Sequence, residues 1–141
     1  MIPLLSGMSD PVPKARALIL VVEDVALVRM TLVDVLEDAG FKVIEAVHAD
    51  EALRVLEAVS DIQAVVTDVE MPRGSINGFE LARRVRTERQ EIGVLIASGR
   101  AAPKAGDLPD GALFIGKPVH STTLVHLLKT LLGPNHDRAG S

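Results

Sequence analysis

The sequence predicts an α/β domain built on a doubly wound parallel sheet. Three observations carry that prediction. Short continuous apolar runs alternate with amphipathic helical patterns along most of the chain. Hydrophobic residues make up 48% of the sequence but only three aromatics occur, Phe41, Phe79 and Phe114, so the core is aliphatic, as suits a sheet covered by helices. Four polar groups, Asp24, Asp68, Ser98 and Lys117, each lie at or just past the end of an apolar run. Open parallel sheets bind ligands at that rim, outside the carboxyl ends of their strands.

The elements follow in order. Ala17 to Val22 is an apolar run of strand length. Val25, Val28, Leu32, Val35, Leu36 and Ala39 then recur at helical spacing and stop at Gly40, a good C-terminal cap. Phe41 to Val47 reads as the second strand, and Asp50 to Ala58 as a short helix with Leu53 and Leu56 inward. Ala64 to Thr67 is the third strand; it delivers Asp68 into the loop Val69-Glu70-Met71-Pro72. Gly78 to Glu88 is a helix with Phe79, Ala82 and Val85 on one face. Gly93 to Ala97 and Ala112 to Ile115 are the last strands, and Ser121 to Leu132 is a final amphipathic helix.

Five strands and four or five helices give a flavodoxin-like domain of strand order 2-1-3-4-5. One link is irregular. From Gly99 to Asp110 the chain reads GRAAPKAGDLPD, and Pro103 and Pro109 each remove a backbone donor and clash with a preceding turn. A loop or a single helical turn is expected there, so the fourth helix is shortened or absent. Residues 16–132 are read as the domain, with a flexible extension over 1–15 and a flexible tail over 133–141.

Composition excludes several classes of function. The net charge is −4 and no basic stripe exists to neutralise phosphates, so direct nucleic-acid binding is not expected. The scarcity of aromatics also removes a platform for base stacking. With no cysteine there is no disulfide, thiolate nucleophile or zinc–sulfur site. No apolar run approaches the roughly 18 residues of a membrane span, and Met1 to Pro13 lacks the basic start of a signal peptide. A cytoplasmic protein without membrane attachment is the expectation.

In the predicted strand order Glu23, Asp24, Asp68, Ser98 and Lys117 converge at one end of the sheet. Three close carboxylates cannot all stay ionised without a counter-charge. An all-oxygen acidic cluster suits a hard cation, and Mg²⁺ in particular. Metal, the Lys117 ammonium and the Ser98 hydroxyl together would cradle a tetrahedral phosphoryl group. Asp68, nearest the centre, is then the natural nucleophile, forming an acyl phosphate.

These residues stand in LILVVEDVALVR, VVTDVEMP, IASG and FIGKPV, and with those four motifs the chain resembles the response-regulator receiver domains of two-component signalling, in their stand-alone form. The likeness covers about residues 16–132. It implies that Asp68 accepts a phosphoryl group from a histidine kinase or histidine phosphotransfer protein. By the same resemblance Asp24 binds Mg²⁺ directly and Glu23 through water, with Asp68 and the Glu70 carbonyl completing the protein ligands. Lys117 would pair with phosphoryl oxygens, the Lys117–Pro118 bond would be cis, and Ser98 and Phe114 would move as the switch that alters a surface for a downstream protein. Oligomeric state stays open.

Departures from the family pattern are equally specific. Glu23 replaces the commoner Asp, and Ser98 the commoner Thr. The loop Arg73-Gly74-Ser75-Ile76-Asn77-Gly78 is two residues longer than usual, and Gly99 to Asp110 lacks the usual helix. Glu70 and Arg100, each two residues past a site residue, are expected to flank the entrance and modulate attack of water on phospho-Asp68. Singly, Glu23 and Asp24 read as helix caps, Asp68 and Lys117-Pro118 as turn residues, and the cluster Arg83, Arg84, Arg86 and Arg89 as a solvated helix face. Two rival functions remain: a Mg²⁺-dependent phosphohydrolase with an Asp nucleophile, and a receiver-like binding module that is not phosphorylated.

Overall fold

The structure, a computed structural model, describes residues 16–99 and 102–140. Its elements are β1 (Leu18–Val22), α1 (Ala26–Asp38), β2 (Lys42–Ala46), α2 (Ala49–Ala58), β3 (Ile62–Asp68), α3 (Gly78–Glu88), β4 (Gly93–Ser98), β5 (Leu113–Gly116) and α4 (Ser121–Gly140). The five strands are all parallel and lie in the order β2-β1-β3-β4-β5, as the sequence predicts.

The apolar runs are continuous because the central strands are covered on both faces. Successive side chains of a strand point to opposite faces. Leu20, Val22, Val65 and Ile96 pack under α2 and α3 with Leu56, Leu81 and Val85. Ile19, Val21, Val66 and Leu95 pack on the other face with Leu32 and Leu36 of α1 and Leu124 and Leu128 of α4.

Local signals set the helix ends. Gly40, at φ +97°, follows α1, and the amides of Gly40 and Phe41 donate to the carbonyls of Glu37 and Leu36. That is a Schellman closure, with Phe41 and Leu36 sharing the core beneath it. Asn77 and Glu80 form a capping box at the start of α3. His48 caps α2 by accepting from the Glu51 amide through Nδ1, while Glu51 accepts from the Val47 amide. No sequence rule flagged that cap, because histidine is not among the preferred N-cap residues.

Two links depart from the helix–strand alternation. The long β3–α3 loop is tied to α2: the Ser75 amide and hydroxyl both donate to the Asp50 carboxylate, at 3.1 and 2.6 Å. Between β4 and β5, residues 102–112 form turns and no helix. This strap is held by arginines of α3. Arg83 donates to the carbonyls of Gly106 and Asp107, and Arg86 to that of Asp110. Gly111, at φ +85°, lies against the Arg86 guanidinium, where a Cβ would come within 3.2 Å of Nη2.

Those bonds correct part of the reading of the arginines as a solvated face. Arg86 also donates to Gln90 and Ile92, and Arg89 to the carbonyls of Leu56 and Ser60. Arg83 and Arg84, the latter paired with Glu88, are exposed and fit the solvated reading, whereas Arg86 and Arg89 are half-buried and do not. At the chain end, the expected tail after Leu132 is helical backbone as far as Gly140, set off from the preceding helix by a break at Gly133 (φ 80°, ψ 170°).

Candidate functional site

Parallel pairing alone brings the chemistry together. Val22 pairs with Thr67, Asp68 with Ala97 and Ser98 with Gly116, so the next residues out, Glu23 and Lys117, share a rim with Asp68 and Ser98. At their carboxyl ends β3 and β4 each run one residue past the expected strand and include Asp68 and Ser98 themselves, and β3 also starts two residues earlier, at Ile62.

Lys117 is the hub. Its Nζ lies 2.8 Å from Glu23 Oε1 and 3.5 Å from Asp68 Oδ1. Its amide donates to the Ser98 carbonyl at 2.9 Å, and the Lys117–Pro118 peptide is cis. Asp68 Oδ1 also accepts from the Val69 amide at 2.8 Å, which fixes the carboxylate against the strand end. Ser98 is buried on the adjacent strand. Behind this rim, a Cβ on Gly78 would collide with the Asp68 carbonyl, so only glycine lets α3 start so close to β3.

The ion pair is asymmetric. Glu23 is 1% exposed and its burial raises its pKa, more than the Lys117 hydrogen bond and the Val25 amide lower it. Partial burial pulls the Lys117 ammonium down, but the Glu23 hydrogen bond and the charges of Asp68 and Glu23 outweigh it and hold its pKa above the ordinary lysine value. The carboxylate carries the desolvation and the lysine gains the partners.

Glu23, Asp24 and Asp68 each offer a carboxylate oxygen, and these atoms all lie within 4.8 Å of one another. Three carboxylates against one ammonium leave an excess of negative charge on hard oxygen donors. That donor set fits a cation such as Mg²⁺, which prefers carboxylates and retained waters. The helix-cap reading of the acid pair does not hold. Val25 caps α1 without a side-chain bond, and Glu23 instead accepts from the Val25 amide at 3.2 Å.

The other predicted residues are more dispersed. The Glu70 carboxylate is not one of the clustered three. Phe114 is half-buried on β5, against the core face beneath α2 and α3. Arg100 lies outside the described residues. One site neighbour escaped sequence reasoning: Arg29, on α1, donates to the Glu23 carbonyl at 2.8 Å. Its spacing from the acid pair was the available signal, since five residues past Asp24 places it one turn into the helix, facing back toward the strand end.

A model of the response regulator receiver domain matches residues 19–129. The chain is 32% identical over 123 residues to chemotaxis protein CheY1 of Helicobacter pylori, covering 83% of this chain and 98% of that protein. It is 35% identical over 120 residues to sensor kinase CckA of Brucella abortus, covering 82% of this chain but only 12% of the kinase. Among solved structures, a response regulator receiver protein from Sinorhizobium medicae superposes with a TM-score of 0.78 at 27% identity, over 83% of this chain and 94% of that one. No described helix is long and apolar enough to cross a membrane. The chain belongs to the response regulator receiver domain family of two-component signalling.

Proposed function

We propose that this receiver domain takes a phosphoryl group onto Asp68 from a phosphohistidine of a histidine kinase or histidine phosphotransfer protein. The observation that carries this reading is the Lys117 ammonium set between Glu23 and Asp68, over a carboxylate cluster suited to Mg²⁺. An Asp68 carboxylate oxygen attacks the phosphorus. The new O–P bond forms as the P–N bond breaks, and the donor, protonated on its other ring nitrogen, leaves as neutral imidazole. Glu23, Asp24 and Asp68, with the Glu70 carbonyl, are the groups that would hold Mg²⁺, which when bound offsets the charge of the phosphoryl oxygens. Lys117, whose Nζ lies 3.5 Å from Asp68 Oδ1, would pair with those oxygens.

The phosphoryl group adds charge beside Ser98. Its hydroxyl then turns toward the phosphoryl oxygens, and Phe114 packs inward behind it. This local charge change biases the segment after β4 and so alters a surface read by a partner protein. A phosphohydrolase reading needs a second acid at the nucleophile, two residues on, and the carboxylate there, Glu70, stands outside the cluster. The test is to mix the chain with a labelled phosphohistidine donor and Mg²⁺. Label passes to the receiver, while p-nitrophenyl phosphate under the same conditions is not turned over. Steady turnover of the ester without transfer from phosphohistidine contradicts the proposal.

A further inference from the structure

We propose that Arg29 is a positioning residue, which with Glu45 fixes the turn carrying the acid pair and thereby sets Mg²⁺ affinity. The inference rests on the assignment of Glu23 and Asp24 as metal-binding groups. The Glu23 amide is the last to pair across the sheet, donating to Ala46. Its carbonyl lies beyond the ladder, and there Arg29 Nη1 reaches back from α1 to donate to it at 2.8 Å. The same guanidinium donates through Nε to Glu45 Oε1 on β2 at 3.0 Å. One nearly buried side chain, 16% exposed, thus joins the end of β1, the second turn of α1 and the end of β2.

The turn has one local support of its own, the Val25 amide donating to Glu23 Oε2 at 3.2 Å, and little else. Helix α1 has Val25 at its N-cap, with no side-chain cap and no acid in its first turn. The Glu23 carbonyl defines the peptide plane between Glu23 and Asp24, so tilting that plane redirects the Asp24 carboxylate relative to Glu23 and Asp68. Mg²⁺ tolerates little misplacement, since it demands near-ideal octahedral geometry. Groups that orient metal ligands from behind are worth roughly ten- to a hundredfold in affinity.

Charge and geometry make opposite predictions here. Removing a cation near an acidic cluster should tighten Mg²⁺ binding if only electrostatics mattered, the more so because Glu45 would be left unneutralised. If Arg29 acts by position, its removal weakens binding instead. The chain has no Trp or Tyr, so calorimetric titration of MgCl₂ into the full chain is the suitable measurement. We expect Arg29→Met to weaken Mg²⁺ about tenfold. Arg29→Lys should recover only part of this, because a single ammonium replaces the two-direction fork. Glu45→Gln, which keeps an acceptor for Nε, should stay within about twofold of wild type, far less than the loss from removing the fork itself. Thermal melts in EDTA report folding separately; should Arg29→Met fail to fold, Arg29→Lys alone decides by the same sign. Binding by the Arg29 variants that equals or exceeds wild type overturns the positioning role. A wild-type chain that does not bind Mg²⁺ overturns the metal assignment beneath it as well.

Discussion

The rim at the strand ends and the strap between β4 and β5 are neighbours, yet they are built in opposite ways. At the rim, side chains carry the contacts: Lys117 joins Glu23 and Asp68, and the sheet register places all of them. In the strap, backbone carbonyls carry the contacts, and they are held by arginines from another element. Moving the rim means breaking the sheet. Moving the strap means exchanging a few hydrogen bonds at the surface, each worth about 1 kcal/mol, for bonds to water. The proposed phosphoacceptor, which would keep its chemistry fixed while changing its surface, gains from that division.

The contrast can be broken hardest at the rim. Replacing Lys117 by Ala leaves the Glu23 carboxylate buried without its ammonium, and metal-free stability should fall by about 3 kcal/mol, the low end for a broken buried pair. This loss depends on pH. Glu23 has a folded pKa raised above its unfolded value, so its contribution is fully present below 4.5 and is lost as pH rises through the folded value. Urea denaturation should therefore show a smaller penalty for Lys117→Ala near pH 4.5 than at pH 8. Gly78→Ala comes next. Its Cβ meets backbone at Asp68 and Val69, which cannot swing aside, and about 2 kcal/mol of destabilisation follows, with altered Mg²⁺ binding.

Substitution of Arg86 sharpens the comparison from the other side. Arg86→Ala removes donors to Asp110, Gln90 and Ile92 and should cost about 1–2 kcal/mol. Hydrogen exchange should accelerate in residues 102–112 while β1, β3 and β4 keep their protection, and phosphorylation of Asp68 should proceed normally. The smallest effect is expected at the β3–α3 loop. There Ser75 holds the exposed Asp50 carboxyl below its usual pKa through its hydroxyl and amide. Ser75→Ala should let that pKa rise, read by NMR titration, with little change in the melting temperature.

The same division explains what the sequence revealed. Strands such as Leu18–Val22 and the closure at Gly40 were legible because period, length and glycine are local signals. Asp68, Ser98 and Lys117 were legible because a parallel sheet turns strand ends into spatial neighbours, so order along the chain is enough to assemble them. The hold of Arg83 and Arg86 on the strap was not legible because Gly106, Asp107 and Asp110 lie more than twenty residues on, in a segment without period. His48 was missed as a cap because histidine is not a preferred N-cap residue, and Arg29 was missed because its five-residue spacing past Asp24 is a faint signal beside the acid pair. The Gly133-Pro134 pair does mark a stop, since the backbone breaks at Gly133; what the pattern did not signal is the helical backbone that resumes beyond it.

The most direct test of the phosphoacceptor assignment is the intact mass of the full chain after incubation with acetyl phosphate and Mg²⁺. The account predicts one phosphoryl adduct on the wild type, absent in Asp68→Asn and absent when EDTA replaces Mg²⁺. An adduct that persists in Asp68→Asn, or a wild type that never gains one, would contradict it.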